Sequence, residues 1–434
     1  MPQAPGLRSV KRCTGVTYLA AIDSLTQIVL GAAVGELAAG KQLGNRAMIW
    51  GAVAGTIPDL DVTAGFVADP ITNLAFHRCV THSLYYAALA SPVLAWMVRA
   101  LYRGRNGTTA EAGYPWRRWL PGALAIYALI VVGSYLSPTP LEGVWTYSAV
   151  VAGTTAAYPL LVYGFRQIRP RGSVNDVGYR RWLWLFLLGI GTHPLLDCFT
   201  TYGTQVLQPF DDLRVAWNTI SVADPAYTLP FLLAVLVASR LSRHSVWRGR
   251  WVNIGFGVSL LYLAFTCYNL VRVRSQVESD LAAQGIRYER FIATPTILQN
   301  VLWSVAIDQG DSIIATRIGL LDEPFRLPPK QQMQAYAQRD DLLAPTRGQR
   351  AVQVATWFSD GYHVVNRADG DTLELMDLRF GVLPVEGAEP IFGFQLYPRK
   401  GEDEWGFRQR PFRSEMDAGE VFGALWERMQ GRVE

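Results

Sequence analysis

The chain has 434 residues, of which half are hydrophobic and 18% are charged, and its formal net charge is only +4. This length allows two structural parts, and the arginines are spread between apolar segments rather than forming the basic stripe that nucleic-acid binding requires. Its four cysteines include no CxxC pair, so they do not identify a redox compartment.

The apolar residues are concentrated in the first part of the chain. Apolar stretches recur between residues 24 and 271, whereas the remainder contains no apolar run of 18 residues. We therefore predict a mainly α-helical fold, with a multi-pass transmembrane bundle of about seven or eight segments followed by a small soluble α+β domain. The predicted division is an N-terminal extension at 1–22, a transmembrane domain at 23–274 and the soluble domain at 275–434. The apolar part of 1–22 is too short for a signal peptide, and no clear cleavage site follows it.

Eight apolar segments bounded by charged residues are predicted to be helices. Their approximate ranges are 24–39, 45–57, 83–102, 118–137, 144–165, 181–199, 224–241 and 251–271. The first two and the seventh are short for a bilayer core that needs about 20 helical residues, which favours little tilt, a paired hairpin or re-entry. Gly31 and Gly35, then Gly51 and Gly55, have the spacing of small residues at a close helix–helix contact and predict a tight hairpin.

Basic residues in the connections predict the orientation of the bundle. They are abundant at about 41–46, 99–118, 166–181 and 240–250, whereas the alternating connections contain only Arg78 and Arg214. Because Lys and Arg near membrane ends stay in the cytoplasm, the second set of loops and the C-terminal domain are predicted to be extracytoplasmic. Arg272 and Arg274, together with the basic residues before Asp23, argue mildly for the opposite orientation.

Ionisable residues cluster at the helix ends on the predicted non-cytoplasmic side. These residues are Asp23, Asp59, Asp61, His77, His82, His193, Asp197 and Asp224. Ionisable groups at membrane depth are costly unless they pair, face water or bind an ion, so their convergence predicts a functional site.

Three short motifs contain most of these residues. Pro58 disfavours a continued helix at Ile57, so Asp59 and Asp61 are predicted on a turn, where both carboxylates can face one pocket. Two solvated loop acids, or a helix cap, are the alternative.

The second motif contains His77 and His82, which are five residues apart. A regular helix would place them about 140° from each other, so metal binding by both requires His77 in a loop and His82 at a helix entry, capped by Thr81 or Ser83. A purely structural role is the alternative. Arg78 between them either anchors an anionic group or snorkels to lipid headgroups.

In the third motif, His193 and Asp197 are four residues apart and would share one helical face, although Pro194 is predicted to kink that helix. A hydrogen-bonded His–Asp pair without a metal is the alternative. Asp224, before Pro225, is more typical of a helix N-cap than of a ligand.

The mixture of imidazole and carboxylate groups predicts a divalent-metal site, with zinc favoured over manganese or iron. The predicted metal ligands are Asp59, Asp61, His77, His82, His193 and Asp197. Such a site suits hydrolysis, with Asp59, Asp61 and Arg78 as the candidate catalytic residues and one spare carboxylate as general base.

The motifs together resemble the YdjM-like family of LexA-regulated inner-membrane proteins, which are regarded as metal-dependent hydrolases. The resemblance covers about residues 23–240 and rests on the stretch 23–35 (DSLTQIVLGAAVG), on PDLD at 58–61, on HRCVTHS at 77–83, and on HPLLD at 193–197 with Thr200 and Gly203. The family usually has Gly where this chain has Cys79. The resemblance implies a bacterial inner (plasma) membrane protein with hydrolase activity, and it names no substrate.

The C-terminal part is predicted to contain strands at Ala351–Phe358, Tyr362–Arg367 and Thr372–Phe380. Asp360-Gly361 and Asp369-Gly370 predict the hairpins between them, and Ser414–Met429 predicts a closing amphipathic helix. No catalytic motif is present in this part, which suits a lid, a substrate-recruiting domain or a partner-binding domain.

Three functions remain compatible with these patterns. The first is hydrolysis of a lipid-like or phosphoester substrate at the non-cytoplasmic membrane face, with membrane lipids as the predicted partners. The second is an ion or solute carrier that uses the same His/Asp cluster, and it predicts polar groups that continue through the bilayer. The third is a non-catalytic membrane scaffold that acts through its C-terminal domain.

Overall fold

The structure is a computed structural model of the chain. It describes residues 14–103, 116–137, 144–167, 177–382, 389–399, 401, 403–410 and 418–431. The arginine-rich connections at 104–115 and 168–176, on which part of the predicted orientation depends, lie outside the described residues.

Each of the eight predicted apolar segments contains a helix. The helices of this part are α1 Thr14–Leu43, α2 Asn45–Thr56, α3 Pro70–Phe76, α4 Leu84–Arg103, α5 Trp116–Leu136, α6 Val144–Gln167, α7 Tyr179–Asp197, α8 Pro225–Arg240 and α9 Val246–Ala283. The short helix α3 was not predicted. Of the described helices, three contain a stretch long and apolar enough to cross a bilayer, namely Leu84–Tyr102, Trp119–Leu136 and Val246–Ala283, and α8 is a shorter apolar helix.

Helices α1 and α2 form the tight hairpin that the glycine spacing predicts. A Cβ atom on Gly51 would lie only 2.7 Å from the Gly35 Cα, and one on Gly31 would lie 3.0 Å from the Gly55 Cα. The two backbones are therefore in direct contact. The turn between the helices passes through Gly44 at φ 57°, a dihedral that glycine adopts without steric cost.

The last helix of the bundle extends into the C-terminal part. Helix α9 contains 38 residues, which corresponds to about 57 Å and exceeds the roughly 30 Å of a hydrocarbon core. Near its first turns, the buried Arg248 forms a two-pronged ion pair with Glu36 of α1, with both N–O distances at 2.6 Å. At its other end, Val273, Val277 and Leu281 are fully buried against β-strands.

The C-terminal part contains two antiparallel four-stranded sheets, each in chain order. The first comprises β1 Arg290–Pro295, β2 Leu302–Asp308, β3 Ser312–Gly319 and β4 Gln334–Ala337, and the second β5 His363–Arg367, β6 Leu373–Val382, β7 Pro390–Pro398 and β8 Trp405–Gln409. Helix α10 Arg350–Ser359 precedes β5, and helix α11 Ala418–Met429 follows β8. The sheets pack on each other through a shared apolar cluster, with the end of α9 outside the first sheet and α10 outside the second.

The prediction of a strand at Ala351–Phe358 is wrong, because this segment forms helix α10. Its buried residues include Ala351, Val352, Ala355 and Phe358, which have the spacing of a helical face on a sheet. Asp360-Gly361 accordingly ends a helix, with Asp360 in the left-handed region at φ 50°.

Strands β5 and β6 and their Asp369-Gly370 turn are confirmed. The sequence patterns did not predict β1–β4, β7 or β8. The predicted closing helix is present as α11, and its predicted first residues, at 414–417, lie outside the described residues.

We expect Gly51→Ala to destabilise the protein, because the added methyl group must push α1 away from α2. Overpacking of this kind typically costs about 1–3 kcal/mol. Gly257→Ala is the matched control, because Gly257 lies in α9 with open space around its Cβ direction. Thermal unfolding of both variants in the same detergent checks the difference, and equal melting temperatures would contradict the close helix contact.

Candidate metal centre

Asp59 and Asp61 lie on a 3₁₀ helix, Pro58–Phe66, that follows α2 directly. Ile57 keeps helical dihedrals (φ −54°, ψ −43°), so the proline tightens the helix after this residue instead of breaking the chain direction there. Side chains two residues apart on this tighter helix reach different neighbours: Asp59 contacts His82 and His193, whereas Asp61 contacts His77 and His82.

The two histidines of the second motif lie on different elements, as their spacing predicts. His77 is the residue that ends α3, and His82 is the last residue of a short 3₁₀ helix, Val80–His82. The Ser83 hydroxyl then caps α4 by accepting a hydrogen bond from the backbone N–H of Tyr86 at 3.0 Å. The predicted capping by Ser83 is therefore confirmed.

Three side chains bring one potential ligand atom each to a common point. The Nε2 atoms of His82 and His193 are 3.1 Å apart, and the Asp59 Oδ1 atom lies 3.4 Å and 3.3 Å from them. Ligands bound tetrahedrally at about 2.0–2.1 Å are about 3.3–3.4 Å apart, so these atoms match one face of a tetrahedron. The donor set and its spacing fit a divalent metal ion.

Asp197 lies against the same two imidazole nitrogens. Its Oδ2 atom is 3.4 Å from the His193 Nε2 atom, which reflects their spacing on α7, and 3.6 Å from that of His82. Helix α7 continues through Pro194 to Asp197. The other carboxylate oxygen, Oδ1, accepts a hydrogen bond from the side-chain amide of Gln27 on α1 at 2.9 Å.

The remaining nitrogen of each imidazole ring is held by a second layer of groups. His193 Nδ1 lies 2.5 Å from the backbone carbonyl of Gly55, which can only accept, so this nitrogen carries the proton. His82 Nδ1 lies 3.2 Å from the Thr81 hydroxyl and 3.4 Å from Asp61. These contacts turn both Nε2 atoms toward the common point, the arrangement found around metal-bound histidines.

Asp61 is the centre of this second layer. It is fully buried and contacts His77 Nδ1 at 3.1 Å, the backbone N–H of Arg78 at 3.0 Å and the Thr81 hydroxyl at 3.2 Å. Burial alone would raise the pKa of Asp61, but His77 and His82 lower it to well below its usual range. Asp61 is therefore ionised, and it lies behind His82 with His77 on its far side.

Arg78 points inward and not toward lipid headgroups. Its side chain is 4% exposed, with Nε 3.4 Å from Asp197 Oδ2 and one terminal nitrogen donating to the Thr200 hydroxyl at 3.0 Å. The guanidinium also lies 5.0 Å above the ring of Tyr202. The snorkelling interpretation of Arg78 is therefore wrong.

Asp224 and the two remaining histidines lie outside this group. Asp224 is the N-cap of α8 and accepts from the backbone N–H of Ala226 at 2.9 Å, which confirms that prediction. His244 lies exposed between α8 and α9, and His363 lies on β5. The side chain of Asp23 is outside the described part of the structure. Burial raises the pKa of the Cys79 thiol to about 12, which disfavours the reactive thiolate form.

Two of the described site residues were missed by the sequence analysis. They are Gln27, which holds Asp197, and Tyr202, which contacts Arg78. Thr81 was expected only as a helix cap and Thr200 only as part of a motif, whereas Thr81 contacts Asp61 and Thr200 contacts Arg78. The signal for Gln27 was a side-chain amide in an otherwise apolar stretch of α1, since such a group needs a buried partner.

The cluster opens to solvent mainly at Asp59. The Asp59 side chain is 15% exposed, whereas those of His82, His193 and Asp197 are at most 1% exposed. Solvent therefore reaches these atoms from the side of the Pro58–Phe66 helix.

Comparison with known proteins relates the helical part to a membrane family. A family model described as "YdjM inner membrane protein" matches residues 22–273, which end within α9, before the two sheets begin. The uncharacterized protein YfhP of Bacillus subtilis strain 168 is 26% identical over 255 residues, which cover 55% of this chain and 71% of YfhP. No solved structure matches the chain.

We expect His82→Ala and His193→Ala each to abolish stoichiometric metal binding, because each removes one of the three converging ligand atoms. His244→Ala should keep the metal, since His244 is exposed in a distant loop. Elemental analysis of the purified proteins measures the bound ion. A well-folded wild-type protein without metal would contradict the site, and unchanged metal in both variants would contradict the ligand assignment.

Proposed function

The chain belongs to the YdjM inner membrane protein family, and from this premise we propose that it is a membrane-bound, metal-dependent hydrolase. The observation that carries the proposal is the convergence of Asp59, His82 and His193 on one point. Two histidines and one carboxylate, with a further position left open, form the ligand pattern of catalytic zinc sites. The same pattern also serves iron, so zinc is the favoured and not the sole candidate ion.

We further propose that about seven or eight of the helices cross the membrane and that the metal centre faces away from the cytoplasm. The distribution of arginines supports this orientation. The C-terminal domain contacts segments next to the metal centre: Asn300 donates to the Thr219 carbonyl at 2.7 Å, and Arg350 donates to Thr72 of α3 at 3.0 Å. In this proposal the domain therefore lies on the same side of the bilayer as the centre.

The roles of the residues follow from their contacts. Asp59, His82 and His193 would hold the ion, which would supply Lewis acidity toward a substrate oxygen and a nearby water molecule. Asp59 is the ligand on the open side, so its second carboxylate oxygen is suited to accept the proton of the attacking water. Asp61 orients His82, and Arg78 holds Asp197 beside the two imidazoles; in this proposal both act through the ligands.

The surroundings of the opening favour an amphiphilic substrate. The helix that carries Asp59 also exposes Val62 (51%) and Phe66 (88%), and Val67, which follows the helix, is 51% exposed. Exposed apolar side chains at a membrane surface are suited to contact with acyl chains. We therefore propose a lipid-like ester or phosphoester whose head group reaches Asp59 while its apolar part stays in the bilayer.

Asp59→Asn should lower the rate of hydrolysis by about 10²–10⁴-fold, because it removes the general base and weakens a ligand. The assay uses the zinc-loaded protein in vesicles of phosphatidylethanolamine and phosphatidylglycerol, with products identified by mass spectrometry. Asp371→Asn, in the exposed turn before β6, is the matched control. Absence of turnover by the metal-loaded wild type, on these lipids and on soluble phosphoesters, would contradict the hydrolase proposal.

The orientation is tested by reporter fusions in cells. Alkaline phosphatase fused after Gln284, just beyond α9, should be active because it folds only outside the cytoplasm, whereas the same fusion after Arg243 should be inactive. The reverse pattern would mean that the metal centre faces the cytoplasm.

A further inference from the structure

Tyr202 connects the metal centre to the C-terminal domain. Its ring meets the ring of His77 edge-on, with centroids 5.2 Å apart, and meets the ring of Phe358 edge-on at 5.0 Å. His77 belongs to the second layer of the metal centre, and Phe358 lies near the end of α10 in the C-terminal domain. One aromatic side chain therefore touches both parts of the protein.

Two arginines hold Tyr202 in this position. The guanidinium of Arg78 lies 5.0 Å from its ring centre and that of Arg214 lies 5.3 Å from it. Arg214 donates to the backbone carbonyls of Tyr202 and of Phe358, the latter at 2.9 Å, and its guanidinium lies 4.3 Å from the Phe358 ring. Arg214 thus fastens the loop that contains Tyr202 to the end of α10.

The C-terminal domain anchors Phe358 from its own side. The Phe358 carbonyl also accepts from Arg379 at 2.5 Å, and Arg379 is paired with the fully buried Asp377 at 2.6 Å. The Phe358 ring packs against Phe394, with centroids 5.6 Å apart. Phe358 is therefore fixed by the second sheet and is not an adaptable surface side chain.

A second contact fastens α3, the helix that ends at His77. Ile71 of α3 is buried in the apolar cluster that includes Phe358 and the second sheet. Arg350 of α10 donates to the Thr72 hydroxyl at 3.0 Å and lies 3.8 Å from Asp69, the N-cap of α3. The C-terminal domain thus holds both segments that support the second layer, the one before His77 and the one that contains Tyr202.

We propose that the C-terminal domain is a positioning element of the metal centre, acting through Phe358 and Tyr202. Tyr202 fixes the ring of His77 and the guanidinium of Arg78. His77 in turn holds Asp61 behind His82, and Arg78 holds Asp197 beside both imidazoles. This inference rests on the proposed metal centre, and it assigns a role to a domain that follows the family match.

The first test measures metal affinity in the full-length protein, with a chromophoric chelator competing for zinc. We expect Phe358→Ala and Tyr202→Ala each to weaken binding about 10–100-fold, the usual effect of losing an outer-layer partner. Tyr202→Phe should retain wild-type affinity, because the proposed contacts use the ring. The Phe358→Ala/Tyr202→Ala double variant should be no weaker than the single variants, because both act through one contact.

Phe291→Ala is the matched control for general weakening of the domain. Phe291 lies on β1 and packs with Tyr288 and Arg274, on the side of α9. We expect its zinc affinity to equal that of the wild type. Wild-type affinity in a folded Phe358→Ala protein, or an equal loss in Phe291→Ala, would overturn the positioning role.

The second test needs no metal and separates this inference from the proposed function. Hydrogen–deuterium exchange of the segment 76–83 in the apo protein should be faster in Phe358→Ala than in the wild type, and unchanged in Phe291→Ala. If the wild type binds no zinc, the proposed function fails, and the exchange result still decides whether the domain holds the loop. Unchanged exchange in Phe358→Ala would overturn the inference.

Discussion

The candidate metal centre depends on one buried carboxylate, that of Asp61. An ionised carboxylate away from water is stable only when its oxygens are surrounded by donors and positive charge. Asp61 collects the imidazole of His77, the backbone N–H of Arg78, the hydroxyl of Thr81 and the imidazole of His82. All these donors lie within residues 77–82. The segment between α3 and α4 therefore wraps around Asp61, because each donor must reach the same carboxylate.

The rest of the fold brings this segment to the other ligands. The glycine contact between α1 and α2 places Gln27 and the Gly55 carbonyl near the end of α7, where they hold Asp197 and His193. Helix α9 then links the bundle to the first sheet. Helix α10 and the second sheet pack against α3 and Tyr202, next to the metal centre. Residues distant in sequence are thus assembled by a few close helix contacts and one docked domain.

The sequence patterns predicted the helices of the eight apolar segments, the close hairpin and the convergence of the motif residues at one end of the bundle. They did not separate the residues that converge, Asp59, His82 and His193, from Asp61 and His77 behind them, because spacing within a motif does not tell which way a side chain turns.

In the C-terminal domain, the sequence patterns wrongly placed a strand at 351–358. The β-branched residues of this segment favour a strand locally. A helix forms instead because its apolar face is buried on the second sheet, and this tertiary packing outweighs the local preference. Strands β2 and β3 of the first sheet were missed because they are buried almost throughout, which removes the alternation that marks a half-buried strand.

Arg78 meets two requirements at once: its backbone adopts a left-handed conformation, and its side chain supplies a guanidinium group. Its backbone has a φ of 62°, a left-handed conformation that costs a residue with a Cβ about 1–2 kcal/mol. That conformation directs the N–H of Arg78 to Asp61 and its carbonyl to the N–H of Gln205 at 3.0 Å, while the side chain reaches Asp197 and Thr200. Glycine would suit the backbone but would leave Asp197 without its cation, and lysine would keep the charge without the planar fork. Replacement of Arg78 by glycine would therefore lose the charge, and replacement by lysine would lose the planar fork. The strained backbone conformation is kept because the guanidinium is needed at this position.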